Sequence, residues 1–298
     1  MGNPSPLRYP GGKYKISKLI ELLLNKAGDN CSTYVEPFAG GAGIAIDLLL
    51  RNVVTDIVIN DSDPAIAAFW KAIVQENDAF IDKIDSTPVT LDEWRRQRDV
   101  YFGTKKYSLE LGFATFFLNR TNHSGILASG PIGGQAQKSW KLDVRYNKED
   151  LIKKVERIGQ RSKQIHVFNR DVLSFVANQL KRYEKSAFVY FDPPYYRKGK
   201  VLYQNFFDDK KHRALCAKIK SSVKCPWIVS YDDVPEVVSI YTGLPKRSFS
   251  LNYSLANNGY GEEVMFFKDE NLVPTKQEIN SVGMLKQFYP NPAKEVRQ

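Results

Sequence analysis

The residues best suited to chemistry are Asp192-Pro193-Pro194-Tyr195. They close an apolar run, Ala187 to Phe191, with the length and aromatic content of a buried strand. Each proline restricts the residue before it to an extended conformation, so Asp192 and Pro193 are held stiffly. Prolines donate no N–H, but their carbonyls still accept. The Asp192 carboxylate and the Pro193 carbonyl are therefore fixed acceptors beside the ring of Tyr195. Such a set fits a planar exocyclic amine: two acceptors take its two hydrogens and the phenol ring stacks on its ring. The amine's lone pair is normally delocalised, and acceptors outside the ring plane would free it for attack. The plainer reading is a strand end followed by a turn.

Positioning such a corner calls for an α/β sheet, in which ligands bind beyond the carboxyl ends of the strands. Thr33 to Phe38 reads as a strand running into Ala39-Gly40-Gly41-Ala42-Gly43 and an apolar helix from Ile44 to about Arg51. Strand, glycine turn and helix open a nucleotide-binding βαβ unit. Glycines let the backbone turn sharply and let a ligand approach it. The next strand, Asp56 to Asn60, ends at Asp61, about 20 residues on, where an acid can accept from ribose hydroxyls. Asp61 could equally cap the helix that begins near Asp63-Pro64. That helix, Pro64 to Gln75, turns Ile66, Ala67, Trp70, Ile73 and Val74 inward.

Upstream, Gly11-Gly12-Lys13 invites a phosphate-loop reading, but Tyr14 stands where Ser or Thr would be required. Lys13 is either a ligand contact or a solvated turn lysine, and Ser17 is positioned to cap the helix that follows. The parallel pattern resumes at Gln164 to Phe168. Asp171 follows, able to reach an adenine amine or to cap the helix starting at Leu173. Lys210 to Ser221 reads as a helix and Trp227 to Tyr231 as a strand. Lys246 to Lys268 reads as a hairpin turning at Asn257-Asn258-Gly259. Residues after Asp269 carry little pattern.

Residues 76–163 interrupt the alternation and are numerous enough to fold as a unit of their own. Thr90 with Glu93 marks a helix start, and Leu111 to Leu118 suits a buried helix. Asn119-Arg120-Thr121-Asn122-His123-Ser124-Gly125 then forms a polar, glycine-broken loop of the kind that carries recognition. Lys138 to Lys163 holds nine Lys or Arg against four Asp or Glu. Its second half reads as an amphipathic helix capped by Asn147, with Leu151, Ile152, Val155 and Ile158 inward. Lys138, Lys141 and Arg145, with Trp140 and Tyr146 beside them, suit phosphate contact.

Composition agrees. Lys plus Arg outnumber Asp plus Glu by 43 to 33, a net charge of +10 that favours a polyanionic partner, nucleic acid before anionic membrane. No apolar run reaches a membrane span, and no signal peptide is visible. Cys31, Cys216 and Cys225 read as free thiols in a reducing cytoplasm. With His123, His166 and His212 equally scattered, no zinc site is expected.

Taken in order, these motifs resemble those of the Dam-like N6-adenine DNA methyltransferases of the alpha class. Leu7-Arg8-Tyr9-Pro10-Gly11-Gly12-Lys13 is similar to the family's N-terminal cofactor motif. Glu36 to Gly43 is similar to its glycine motif, and Ile59-Asn60-Asp61 to its ribose-binding strand end. Phe116 to Thr121 is similar to a signature of its DNA-recognition region, and Asp192 to Tyr195 matches its catalytic motif. The resemblance implies a Rossmann-like S-adenosylmethionine-dependent methyltransferase sheet with an inserted, mainly helical DNA-recognition domain. Residues 1–75 and 164–270 would form the catalytic domain, 76–163 the insertion, and 271–298 a tail without assigned role. It implies Asp192, Pro193 and Tyr195 as catalytic. It implies Tyr9, Lys13, Glu36, Phe38, Gly40, Gly41, Gly43, Asp61, Asp171 and Asp192 around S-adenosylmethionine. Asn119, Arg120, Asn122, His123, Ser124, Lys138, Lys141 and Arg145 would face double-stranded DNA. The expected enzyme needs no metal, works as a monomer on DNA in the cytoplasm, and leaves room for a companion restriction endonuclease. Because the corner fits any exocyclic amine, a cytosine-N4 or RNA-amine methyltransferase stays open on local chemistry. So does a non-catalytic DNA-binding protein with the same fold.

Overall fold

A computed structural model of the protein describes residues 2–8, 13–28, 30–104, 106–138, 140–197, 207–252 and 260–289. Tyr9 and the turn Asn257-Asn258-Gly259 lie outside them. The strands are β1 (Thr33–Glu36), β2 (Asp56–Asn60), β3 (Ile165–Phe168), β4 (Ala187–Phe191), β5 (Trp227–Asp232), β6 (Lys246–Asn252) and β7 (Tyr260–Phe267). The helices are α1 (Ser17–Ala27), α2 (Gly43–Leu50), α3 (Pro64–Gln75), α4 (Asn77–Ser86), α5 (Leu91–Gly103), α6 (Leu109–Thr121), α7 (Lys148–Gly159) and α8 (Val172–Asn178), then α9 (Asp209–Ser222), α10 (Pro235–Ile240), α11 (Lys276–Ser281) and α12 (Leu285–Phe288). The strands make a seven-stranded mixed sheet in the order β3-β2-β1-β4-β5-β7-β6. Sequence order reverses at β1 and β4, which defines the switch point of a doubly wound sheet.

The chain divides into two compact units. One comprises Met1–Tyr14 and Ala39–Asp171. Its strands β2 and β3 pair in parallel from Ile57↔Ile165 to Asn60↔Phe168. Beside them α3 packs on α6 and α7, and α5 packs on α6. Phe69, Phe80, Phe113 and Phe116 form the aromatic core of this layer, with Phe80 and Phe116 centroids 5.4 Å apart. Gly112 makes the approach possible, since a Cβ there would lie 2.8 Å from the Ala68 carbonyl oxygen. The helices of 76–163 thus share a core with α3. Thr90, Ser108 and Asn147 cap α5, α6 and α7 by accepting the N–H of Glu93, Leu111 and Asp150. Along α7, Leu151, Val155 and Ile158 are buried and Ile152 is partly exposed.

The other unit comprises Lys15–Phe38 and Val172–Gln298. Here β4 runs parallel between β1 and β5, β7 is antiparallel to β5, and β6 is antiparallel to β7. All five residues of β4 are buried, as its unbroken apolar run requires. Ser17 does not cap α1: Ile16 holds the cap position and Ser17 is buried in the first turn. Residues 270–289 are held by a local cap and by two long-range contacts. Thr275 and Glu278 form a capping box on α11, Lys26 meets Glu278 at 2.9 Å, and Phe288 of α12 stacks on Phe249 of β6. All three cysteines are free.

Candidate functional site

In the unit that contains β4, three acidic side chains stand at the carboxyl ends of parallel strands, and a fourth faces them from the amino-terminal half of antiparallel β7. Glu36 ends β1, Asp192 follows β4, Asp232 ends β5, and Glu263 lies opposite Asp232 on β7. Strand periodicity puts Tyr34 and Glu36 on the face shared by Tyr190 and Asp192. The electrostatics agree with that placement. The Tyr34 phenol is pushed well above its ordinary value, first by burial and then by the neighbouring Glu36, Tyr190 and Asp192.

Asp192 is half-buried and its Oδ1 accepts the Ser230 hydroxyl at 3.0 Å. Ser230 Oγ also lies 2.7 Å from the Tyr190 hydroxyl. The carboxylate therefore has a fixed orientation at the start of the Pro193-Pro194 corner. Tyr195 is 8% exposed, and its hydroxyl donates to Glu263 at 2.7 Å. Tyr196 and Arg197 donate their backbone N–H groups to Asp232 at 2.8 and 3.0 Å. Glu36 is buried, and the Phe38 ring packs edge-on against Phe207 at 5.9 Å.

In the other unit the glycine turn hangs from the end of β2. Ala39 N–H donates to the Asn60 carbonyl, and the Trp70 indole N–H donates to the Gly40 carbonyl at 2.9 Å. Gly40 and Ala42 take left-handed conformations (φ 45° and 42°), which fold the chain sharply into α2. Gly41 is buried. Gly43 opens α2, and a Cβ there would lie 3.0 Å from Asn3 Oδ1, so its small size serves the N-terminal segment. The helix cap belongs to Asp63, which accepts the Ala65 N–H. Asp61 is thereby released from that duty. Its two oxygens accept the N–H groups of Gly40 and Asp63, each at 2.9 Å. Burial pushes its carboxyl up to about 6, against the opposing effect of those two donors. Lys13 is buried, and Asp171 is exposed immediately before α8.

In this same unit, the polar segment after α6 has both buried and exposed side chains. Asn119 exchanges both peptide groups with Arg8, accepting its N–H at 2.7 Å and donating to its carbonyl at 2.8 Å, and donates also to Gly125. Asn122 accepts the Trp94 indole N–H and donates to the carbonyls of Ile126 and Leu127. Both asparagines are fully buried, so they shape the loop from within. Arg120 Nε donates to the Arg145 carbonyl at 2.7 Å, and burial, then the charge of Arg8, lowers its guanidinium to about 10. His123, Lys138, Lys141 and Arg145 are exposed, and Ser124 is partly exposed with a left-handed backbone (φ 55°). Trp140 is 61% exposed between the two lysines. Gln137 braces this segment by donating to the Ile132 and Gly134 carbonyls and accepting the Leu142 N–H.

Sequence reasoning missed Ser230, Asp232 and Glu263. The signal available was Ser230 and Asp232 at alternate positions of the otherwise apolar β5; Glu263, next to Glu262 in β7, carried no such signal.

The doubly wound sheet order, the Asp-Pro-Pro-Tyr corner after β4 in one unit, and the glycine turn hydrogen-bonded to the acidic end of β2 in the other are each compatible with a nucleoside-dependent amino-methyltransferase. The chain matches the D12 class N6 adenine-specific DNA methyltransferase family over residues 9–254 and belongs to it. It is an adenine-specific DNA methyltransferase, acting at N6, and family membership implies S-adenosylmethionine as methyl donor. It is 26% identical over 203 residues to the type II methyltransferase M.MjaIII of Methanocaldococcus jannaschii, covering 63% of this chain and 68% of that one. It is 23% identical over 204 residues to the modification methylase StsI of Streptococcus sanguinis, covering 64% of this chain and 28% of that one. Among solved structures it is similar to the rRNA methyltransferase AviRa of Streptomyces viridochromogenes. That similarity has a TM-score of 0.44 and 15% identity, and covers 89% of this chain and 88% of that one. No helix among the described residues is long and apolar enough to cross a membrane.

Proposed function

We propose that the chain extrudes a target adenine from double-stranded DNA and methylates its N6 directly, with Asp192, Pro193 and Tyr195 as the catalytic group. The observation that carries this reading is the Asp192 carboxylate, fixed by Ser230 at the head of a two-proline corner. Asp192 and the Pro193 carbonyl accept the two amine hydrogens, and Tyr195 stacks on the purine. Unstacking costs a few kcal/mol, of which stacking on one aromatic ring returns ~1–3 kcal/mol. When bound, S-adenosylmethionine supplies a sulfonium methyl that is already activated, so the reading requires no metal. What the side chains contribute is positioning and hydrogen bonding.

The residues fit a nucleoside-bearing donor. Asp61 uses one lone pair of each oxygen on backbone N–H groups and retains acceptor capacity for ribose hydroxyls. The left-handed Gly40 keeps side-chain bulk away from the turn beside it. Lys13, Glu36, Phe38, Gly41 and Asp171 are assigned to the donor on the family resemblance, Gly43 as the turn's exit into α2, and Tyr9 on the same ground. Residues 1–75 and 164–270 are assigned to donor binding and catalysis and residues 76–163 to DNA. His123, Ser124, Lys138, Lys141 and Arg145 are the presenters, while Asn119, Arg120 and Asn122 hold the loop behind them. The finer setting proposed is a cytoplasmic monomer at work on DNA, with a restriction endonuclease as companion.

The test is transfer of labelled methyl from S-adenosylmethionine to duplex DNA, followed by nucleoside mass spectrometry. The reading expects N6-methyladenine. Label in N4-methylcytosine, or in RNA alone, would refute it.

A further inference from the structure

The two prolines that stiffen the Asp192 corner also strip it of backbone donors. Beyond Pro194, the N–H groups of Tyr196 and Arg197 converge on one carboxylate, Asp232, with one oxygen each. The next strand supplies a second anchor, because the Tyr195 hydroxyl donates to Glu263. Asp232 and Glu263 are cross-strand partners on β5 and β7, 7% and 1% exposed. Like charges opposite one another on adjacent strands are unfavourable, and burial raises the cost of each. A core built for stability alone would place apolar side chains here. Ser230, two residues before Asp232 on the same face of β5, holds Asp192. One strand therefore grips both ends of the corner, and its neighbour grips the ring.

We infer that Asp232 and Glu263 are positioning residues for the target base: they fix the loop and the plane of the Tyr195 ring without touching base or donor. This rests on the proposed role of Tyr195. The two carboxylates divide the work. Asp232 sets the backbone from which the ring projects. Glu263 sets the ring's tilt through its hydroxyl, so the phenol group, which stacking itself does not need, acquires a purpose.

The experiment compares Tyr195→Phe, Glu263→Ala, Glu263→Gln and the Tyr195→Phe/Glu263→Ala pair. It measures kcat, S-adenosylmethionine affinity, and fluorescence of 2-aminopurine at the target position. Misplacement of about 1 Å costs roughly a hundredfold in rate. Tyr195→Phe and Glu263→Ala are each expected to lower kcat by about tenfold or more on that scale, with donor affinity unchanged. The pair should be no slower than the slower single variant, and Glu263→Gln, whose amide oxygen still accepts the phenol, should retain most of the rate. Multiplying effects, or lost donor affinity, would overturn the inference. If Glu263→Ala does not fold, Tyr195→Phe decides alone, and wild-type kcat in that variant overturns it. Tyr195→Ala tests the underlying reading separately. Unchanged 2-aminopurine fluorescence and rate there would remove Tyr195 from the base site, whereas a slow Tyr195→Ala beside a fast Tyr195→Phe would reject only the anchor.

Discussion

The Asp61 carboxylate accepts the backbone N–H of Gly40 at 2.9 Å, joining the acidic end of β2 to the tip of the glycine turn. Burial outweighs this bond and its partner from Asp63, leaving the carboxyl at about 6. For an acid raised in the folded state, folding favours the protonated form. Its contribution to stability is therefore greatest at low pH and is lost as pH rises from the ordinary carboxylate range to about 6.

Donor binding should show the opposite dependence. Ribose hydroxyls donate to the charged form and lower the Asp61 pKa, so affinity should rise between pH 5 and about pH 7 as the carboxylate ionises. Calorimetry in buffers of different ionisation enthalpy should detect proton release near pH 6 and little above about pH 7.5. Asp61→Asn should bind weakly at every pH. A flat affinity profile for the wild type would remove Asp61 from the donor site.

Asn119 and Asn122 should behave as structural residues. Asn119→Ala removes the partner of the part-buried Arg8 peptide groups, with an expected cost of up to about 1–3 kcal/mol per group left unsatisfied. Chemical denaturation should register that loss. If Asn119→Ala kept wild-type stability while losing sequence preference, the side chain would belong to base recognition instead.

The exposed cations should act through phosphate. Replacing Lys138, Lys141 or Arg145 with Ala should weaken DNA binding on all sequences and reduce the slope of log affinity against log salt by about 0.9 for each phosphate no longer neutralised. Trp140→Ala should weaken binding without changing that slope, since an uncharged ring releases no counterions. An unchanged slope in the Lys138/Lys141/Arg145 triple variant would place the phosphate interface elsewhere.

Much of this molecule can be read from its residues because its chemistry is local. Ala187 to Phe191 is apolar throughout and is a strand from end to end, and Asp56 to Asn60 and Pro64 to Gln75 likewise have their expected limits. Caps at Thr90 and Asn147 depend on side chains three residues from their targets, so spacing reveals them. What spacing cannot show is which polar side chain turns inward. Asn119 and Asn122 look like recognition groups in a polar loop, yet their partners include Arg8 and Trp94, far away in sequence. Asp232 and Glu263 acquire meaning only when β5 and β7 pair. The helices after Thr275 were illegible because each buries little, Ile279 in one and Phe288 in the other, too few positions to set a period.

The most direct test of the account is single-turnover methyl transfer by Asp192→Ala under saturating donor and DNA. Loss of one positioned hydrogen-bonding group at a reacting centre costs about a hundredfold to a thousandfold. The expected result is a fall of at least that size, with the circular dichroism spectrum close to wild type. Wild-type turnover by a folded Asp192→Ala protein would contradict the claim that this carboxylate holds the adenine amine for attack.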